Sequence, residues 1–135
     1  INHFLSNCSQ SIYVDGHASS LSHAKSGVPQ GSIMGPVLFL IYINDIGHGL
    51  SSTIRLFADD CIIYRKIDST QPNESLQFTL NKISTWCYHW QMQINTSKIK
   101  AMTFTRANKI ELSQYKVQGV PIEIVSMFKY LRINF

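Results

Sequence analysis

Leu56-Phe57-Ala58-Asp59-Asp60-Cys61-Ile62-Ile63-Tyr64 sets two adjacent carboxylates inside an apolar, β-prone run. The arms on either side, Ile54 to Ala58 and Cys61 to Tyr64, both have strand composition. An unpaired charge in an apolar site is costly, so burial alone predicts no carboxylate there. Asp-Asp is also a turn dipeptide, because Asp bonds its own backbone and tolerates tight dihedrals. The simplest geometry is a β-hairpin with Asp59 and Asp60 together at its tip. Two carboxylates at one tip repel each other unless a cation sits between them. Hard oxygen ligands of this kind suit Mg²⁺. Taken alone, the pair fits a plain solvated turn better than a metal site, so its neighbours have to decide.

Upstream lies Ser26-Gly27-Val28-Pro29-Gln30-Gly31-Ser32-Ile33-Met34-Gly35-Pro36. Its Gly and Pro residues mark an irregular loop with a restricted backbone. Pro36 is well placed as the first residue of a helix. The run Val37 to Ile46 that follows is apolar on all sides, which predicts a buried element. Its length suits a strand or a helix; the Pro start and the stop at Gly47 and Gly49 favour a helix. A Gly-rich loop leading into a helix can accept an anion, or it can be purely structural. It is no Walker motif, since no G-K-[ST] occurs.

Farther out, Gln10–Val14 and Ala18–Ala24 flank Asp15-Gly16 and predict a hairpin. Ile67–Asn73, with Pro72, predicts a polar linker. Over Glu74–Trp90 the residues Leu76, Leu80, Ile83, Cys87 and Trp90 recur at helical spacing and predict an amphipathic helix whose stripe, with Trp86 beside it, is core. Ala101–Thr105, Pro121–Val125 and Tyr130–Phe135 are strand candidates, and Arg106–Gln118 is mostly loop. Helices and strands interleave around an antiparallel hairpin, so the class is α/β or α+β.

The bulk numbers narrow the function. The chain has 135 residues, enough for one domain with a modest core. A hydrophobic fraction of 44% excludes a disordered chain. Lys and Arg number 12 against 8 Asp and Glu, a net +4 that favours an anionic partner only weakly because the charges are spread out. Cys8, Cys61 and Cys87 lack C-x-x-C spacing, which argues against a disulfide scaffold or a zinc site and for a reducing compartment. The five His have no metal-ligand spacing and read as surface or loop residues. Val37–Ile43, the longest apolar run, is too short to span a bilayer. The chain starts at Ile1 and stops at Phe135 inside an apolar run, so both ends are expected to be cut ends of a longer protein.

Together these motifs resemble the reverse transcriptases of non-LTR (LINE-like) retrotransposons. Ser26 to Phe39, continued by Tyr42-Ile43-Asn44-Asp45, is similar to their motif B. Phe57-Ala58-Asp59-Asp60 resembles motif C. Trp86, then Asn95-Thr96-Ser97-Lys98 and Met102-Thr103-Phe104, resembles motif D. Phe128-Lys129-Tyr130-Leu131 resembles the start of motif E, the primer grip. Phe4-Leu5-Ser6-Asn7 is similar to the segment before motif B. The order and spacing match along nearly the whole chain.

The resemblance implies an α+β fold: a polymerase palm-like antiparallel sheet packed on helices, with residues 1–135 a partial domain and 121–135 the start of the primer-grip region. It implies an RNA-directed DNA polymerase that uses two metal ions, Mg²⁺ or alternatively Mn²⁺. Asp59 would be a metal ligand, with Asp60 supporting or also ligating. Pro29, Gln30 and Gly31 would lie under the incoming nucleotide and the template base. Lys98 would neutralise or protonate the leaving pyrophosphate; otherwise it is a solvated loop lysine. Tyr130 and Leu131 would seat the primer end. The implied partners are an RNA template, a DNA primer, dNTPs and the remainder of the same polyprotein, with no membrane. The implied location is the nucleus, where such elements copy themselves at chromosomal targets.

Three features depart from the family pattern. No stretch matches motif A, F-x-D-x-x-x-A-F-D, which would lie upstream with the fingers; the thumb is missing too. Arg132 stands where motif E usually has Gly, and Ile99 where motif D usually has Thr after its Lys. A non-catalytic relic or nucleic-acid-binding module is therefore the alternative reading. A group II intron maturase would need maturase-like flanks, and a calcium-binding hairpin would need D-x-D-x-D-G spacing. The 135-residue chain by itself should bind Mg²⁺ only weakly and extend no primer. A primer-extension assay on the isolated chain checks this, and any product above background contradicts it.

Overall fold

The structure, a computed structural model, describes residues 1–67, 74–106, 114–131 and 133–134. They divide into two units, Ile1–Asn44 and Asp45–Phe135. In the first, helix α1 (Asn2–Leu5) precedes a hairpin built in two pieces. Strands β1 (Ser9–Gln10) and β4 (Ser22–His23) pair antiparallel outside β2 (Tyr13–Val14) and β3 (His17–Ala18). Asp15 and Gly16 both have positive φ, as a type I′ turn requires. The hairpin expected around Asp15-Gly16 is present, but its strands are short and exposed.

Helix α2 (Met34–Ile43) corrects the expected boundaries at both ends. It starts before Pro36 because the Ser32 hydroxyl accepts the Gly35 N–H at 3.0 Å and donates to the Pro29 carbonyl at 2.7 Å. Pro36 then falls in the first turn, where its missing N–H costs nothing. The helix ends at Ile43 rather than Ile46, and the turn that follows runs past Gly47. The expectation that the whole run is buried also needs correction. Ile43 is buried, while Val37, Leu40 and Ile41 are exposed. A helix apolar on every side needs cover on every side, and a unit of this size supplies it on only part of the surface.

The second unit carries the expected central hairpin. Strand β5 (Thr53–Phe57) pairs antiparallel with β6 (Asp60–Tyr64) in the register Ile54↔Ile63 and Leu56↔Cys61. Alternation puts these four side chains on one face. Ile54 and Ile63 pack against Ile46, Ile83 and Cys87. Ile83 and Cys87 belong to helix α3 (Glu74–His89), found where the periodicity placed it. Leu80, Ile83 and Cys87 of the expected stripe are buried. Trp90 is the exception: it lies past the helix end and is 47% exposed. Gly47 permits the close fit, since a Cβ there would meet Ile54 Cγ2 at 2.8 Å.

A second cluster joins Leu80 of α3 to Val117 and Ile122. Val117 lies on β8 (Lys116–Val117), which pairs with β9 (Val120–Pro121) through a Gln118-Gly119 turn. That hairpin falls across the boundary between an expected loop and an expected strand. It is held by Gln77 of α3, whose amide donates to the Lys116 carbonyl and accepts the Lys116 N–H, both at 2.8 Å. A side chain thus supplies the pairing that a neighbouring strand would.

Strand β7 (Lys100–Ala101) pairs parallel with β10 (Glu123–Ile124), and Lys100 forms an ion pair with Glu123. The strand predicted over Ala101–Thr105 is therefore shorter and shifted by a residue. The one predicted over Pro121–Val125 is split at Ile122. Strands β11 (Lys129–Tyr130) and β12 (Ile133–Asn134) form a last antiparallel pair. Residues 68–73 of the predicted linker, 107–113 of the predicted loop, Arg132 and Phe135 lie outside the described residues. The described fold is a mixed α and β arrangement of three α-helices and two-stranded sheets.

One buried contact was not expected. The Ser52 and Thr79 hydroxyls are 2.9 Å apart, with Thr79 fully buried in α3 and Ser52 at the foot of β5. One intramolecular hydrogen bond contributes about 0.5–1.5 kcal/mol to stability. Ser52→Ala should lower unfolding stability by that amount in a urea titration. An unchanged midpoint would show that this bond does not hold the hairpin foot.

Candidate active site

The tip of the β5–β6 hairpin differs from its expected form by one residue. The turn is Ala58-Asp59, and Asp60 already belongs to β6, opposite Phe57. The positive φ falls on Ala58, at 50°, and not on Asp59. Positive φ at the first central position alone is the mark of a type II′ turn, where Gly is usual. An L-residue there is strained by roughly 1–2 kcal/mol. The two carboxylates therefore stand on unlike backbone, one on the turn and one at a strand end, and both residues are exposed.

Alternation puts Asp60 on the outer face with Arg55, Phe57, Ile62 and Tyr64, opposite the face that meets α3. Phe57 is 61% exposed there. On the inner face the Cys61 thiol is pushed up to about 11, by desolvation first and by the Cys87 sulfur second. Burial raises Cys87 as well. Both thiols are therefore protonated at neutral pH, which makes them poor nucleophiles and poor metal ligands.

Tyr130 lies on β11. Desolvation, then the charges of Asp60 and Cys61, push its phenol up. Asp59 and Asp60 thus share the hairpin tip, and Tyr130 of the same unit lies within electrostatic range of Asp60. Leu131 follows with φ 48°, at the turn between β11 and β12. Lys98 is exposed and closes a 3₁₀ turn, Thr96–Lys98; among the described contacts it has none to either Asp.

Pro29, Gln30 and Gly31 belong to the first unit. With Val28, Ser32 and Gly35 they line a cavity of about 410 Å³. Gly31 has φ 78°, a conformation that side-chain-bearing residues seldom adopt. Ser32 stands in the loop read from the sequence, but its tie to α2 was not expected; the visible signal is a Ser three residues before Gly35, whose N–H it accepts.

Among the described residues no three His, Cys, Asp or Glu side chains cluster as a metal site. The donors available to a cation at the tip are the oxygens of Asp59 and Asp60. This set fits Mg²⁺, which is commonly held by one or two carboxylates with water and substrate phosphates completing the shell. No described helix is long and apolar enough to cross a membrane.

The family model for reverse transcriptase (RNA-dependent DNA polymerase) matches residues 1–135, and the chain belongs to that family. It is 31% identical to an RNA-directed DNA polymerase from the mobile element jockey of Drosophila melanogaster, over 99% of this chain and 16% of that protein. It is 30% identical to a probable RNA-directed DNA polymerase from transposon X-element of the same species, over 85% of the chain and 13% of that protein. The jockey protein of Drosophila funebris is 29% identical over 91% and 14%. The chain thus spans about one-seventh of the length of these relatives. The resemblance read from the motifs is borne out at the level of family. No solved structure gives a significant match.

The strain at Ala58 has a measurable sign. Ala58→Gly should stabilise the fold by about 1 kcal/mol, because Gly adopts positive φ without steric cost. Thermal unfolding of the two proteins checks this; a destabilised variant would contradict the assigned turn.

Proposed function

We propose that this chain is part of the palm of an RNA-directed DNA polymerase from a non-LTR retrotransposon. The observation that carries the reading is the hairpin: one face is anchored on α3, and its tip offers Asp59 and Asp60 to solvent. A carboxylate pair on a rigid, supported tip is what positioning of a catalytic metal needs. Asp59 and Asp60 would hold Mg²⁺, or Mn²⁺ in its place. When bound, the metal activates the primer 3′-hydroxyl and steadies the leaving pyrophosphate.

In this reading the chain's own residues bind and orient. Tyr130 and Leu131 seat the primer end, and the influence of the Asp60 charge on the Tyr130 phenol supports that role. Pro29, Gln30 and Gly31 lie under the incoming dNTP and the template base. The left-handed Gly31 supports close backbone approach there. Lys98 faces the pyrophosphate as a cation or proton donor once the substrate is in place.

The remaining carboxylate ligand, the fingers and the thumb come from other parts of the same polyprotein. The partners are an RNA template and a DNA primer, and the site of action is the nucleus, where chromosomal targets lie. Asp59→Asn in a polymerase containing this chain should lower primer extension about a hundred- to a thousandfold, on the order of the loss of one essential electrostatic group, with the fold unchanged by circular dichroism. Retention of full activity would contradict the assignment. A parent protein inactive before the change would make the chain a relic of such an enzyme.

A further inference from the structure

A groove on α3 takes no part in the site just described. It has a volume of about 330 Å³ and lies between α3 and the connection that follows α2. Lys82, Trp86 and His89 stand at helical spacings of four and three, so they share one face of α3. Trp90 continues that face past the helix end, and the connection supplies Asp45 and His48. None of these residues lies on the hairpin that carries Asp59 and Asp60.

The side chains are held in place. The Trp86 indole donates to Asp45 Oδ1 at 3.0 Å. Its ring centroid is 6.0 Å from that of Trp90, with the planes tilted by 35°. Lys82 Nζ donates to the Gly49 carbonyl at 3.0 Å and lies 5.1 Å from the Phe78 ring centroid. His89 Nδ1 is 2.8 Å from the Thr85 carbonyl, which leaves Nε2 as the outer ring nitrogen. The result is a fixed aromatic wall with Lys82, His48 and His89 around it and a single carboxylate.

We propose that this groove holds one nucleotide of a single-stranded nucleic acid, with the base on the Trp90–Trp86 wall. Aromatic faces interleaved with cations are the chemistry of such sites, because every base has a π-face and every nucleotide a phosphate. Lys82, His48 and His89 complement the phosphate. Asp45 retains acceptor capacity beyond its indole bond and suits the N–H donors of a base, so bases with an exocyclic amine are favoured. The inference draws on the reading above for the source of a strand. Its chemistry is that of the groove alone.

The test is fluorescence anisotropy of the purified protein with labelled, unstructured oligoadenylate, oligouridylate and oligodeoxyadenylate. Trp90→Ala should weaken binding roughly tenfold, the loss of one stacked base, while Trp90→Phe keeps most of it. Lys82→Gln should weaken binding and flatten its salt dependence by about one phosphate contact. Tyr88→Ala, at an exposed aromatic of α3 outside the groove, should leave the affinity unchanged, which separates this site from unspecific stacking on the helix. Adenylate bound more tightly than uridylate supports the role of Asp45, and equal binding of the ribo and deoxy strands assigns recognition to base and phosphate. Affinities within twofold for both Trp90→Ala and Lys82→Gln would overturn the proposal. So would a groove blocked by another protein segment, seen as Trp90 fluorescence inaccessible to iodide.

Discussion

The packing of Ile54 and Ile63 against Ile83 and Cys87 is the contact on which the second unit depends. A two-stranded hairpin is marginal in water without such support. The register follows from it, because a slip of one residue would turn this pair outward and bring Arg55 and Ile62 in. Register in turn fixes where the carboxylates go. With Ile54 and Ile63 inside, Asp60 opens its strand on the outer face and Asp59 falls in the turn. The same core extends to Ile94, which joins it to the cluster that seats the β8–β9 hairpin.

Polar contacts finish what the apolar contacts begin. Ser52 and Thr79 tie the foot of β5 to α3 through a buried hydroxyl pair. Gln77 ties β8 to the same helix with two hydrogen bonds. Lys100 and Glu123 meet at the surface, where an ion pair adds about 1 kcal/mol at most. Helix α3 is thus the spine of the second unit, with one face to the hairpin, one to the β8–β9 pair and one to the Trp86–Trp90 groove.

The periodic elements were legible because burial imposes a period. The α3 stripe and the strand arms around Asp59-Asp60 follow from the spacing of apolar residues alone. The Asp15-Gly16 turn was legible because few other dipeptides suit it. The Ala58-Asp59 turn was not: Asp-Asp is the stronger turn dipeptide, and only the pairing of Phe57 with Asp60 shows that the register favours the residue before it. Ser32 and Gln77 act through paired hydrogen bonds at one position each, which leave no repeating trace. Trp90 fits the stripe by number and bonds the Trp86 carbonyl, yet at the end of its helix it stays 47% exposed. The identity of the site rested on motif order, since S-G-V-P-Q-G-S and F-A-D-D carry no period that physical chemistry alone would decode.

The central claim is that Asp59 and Asp60 form one cation site on an anchored hairpin. It is tested most directly by adding Mn²⁺ in small steps to isotopically labelled protein and following paramagnetic loss of the amide signals. The account predicts losses that begin at Ala58, Asp59, Asp60 and the adjoining Tyr130, and that Mg²⁺ reverses by competition. Losses that begin elsewhere, at Asp45 or the histidines, or a hairpin tip indifferent to the metal, would contradict it.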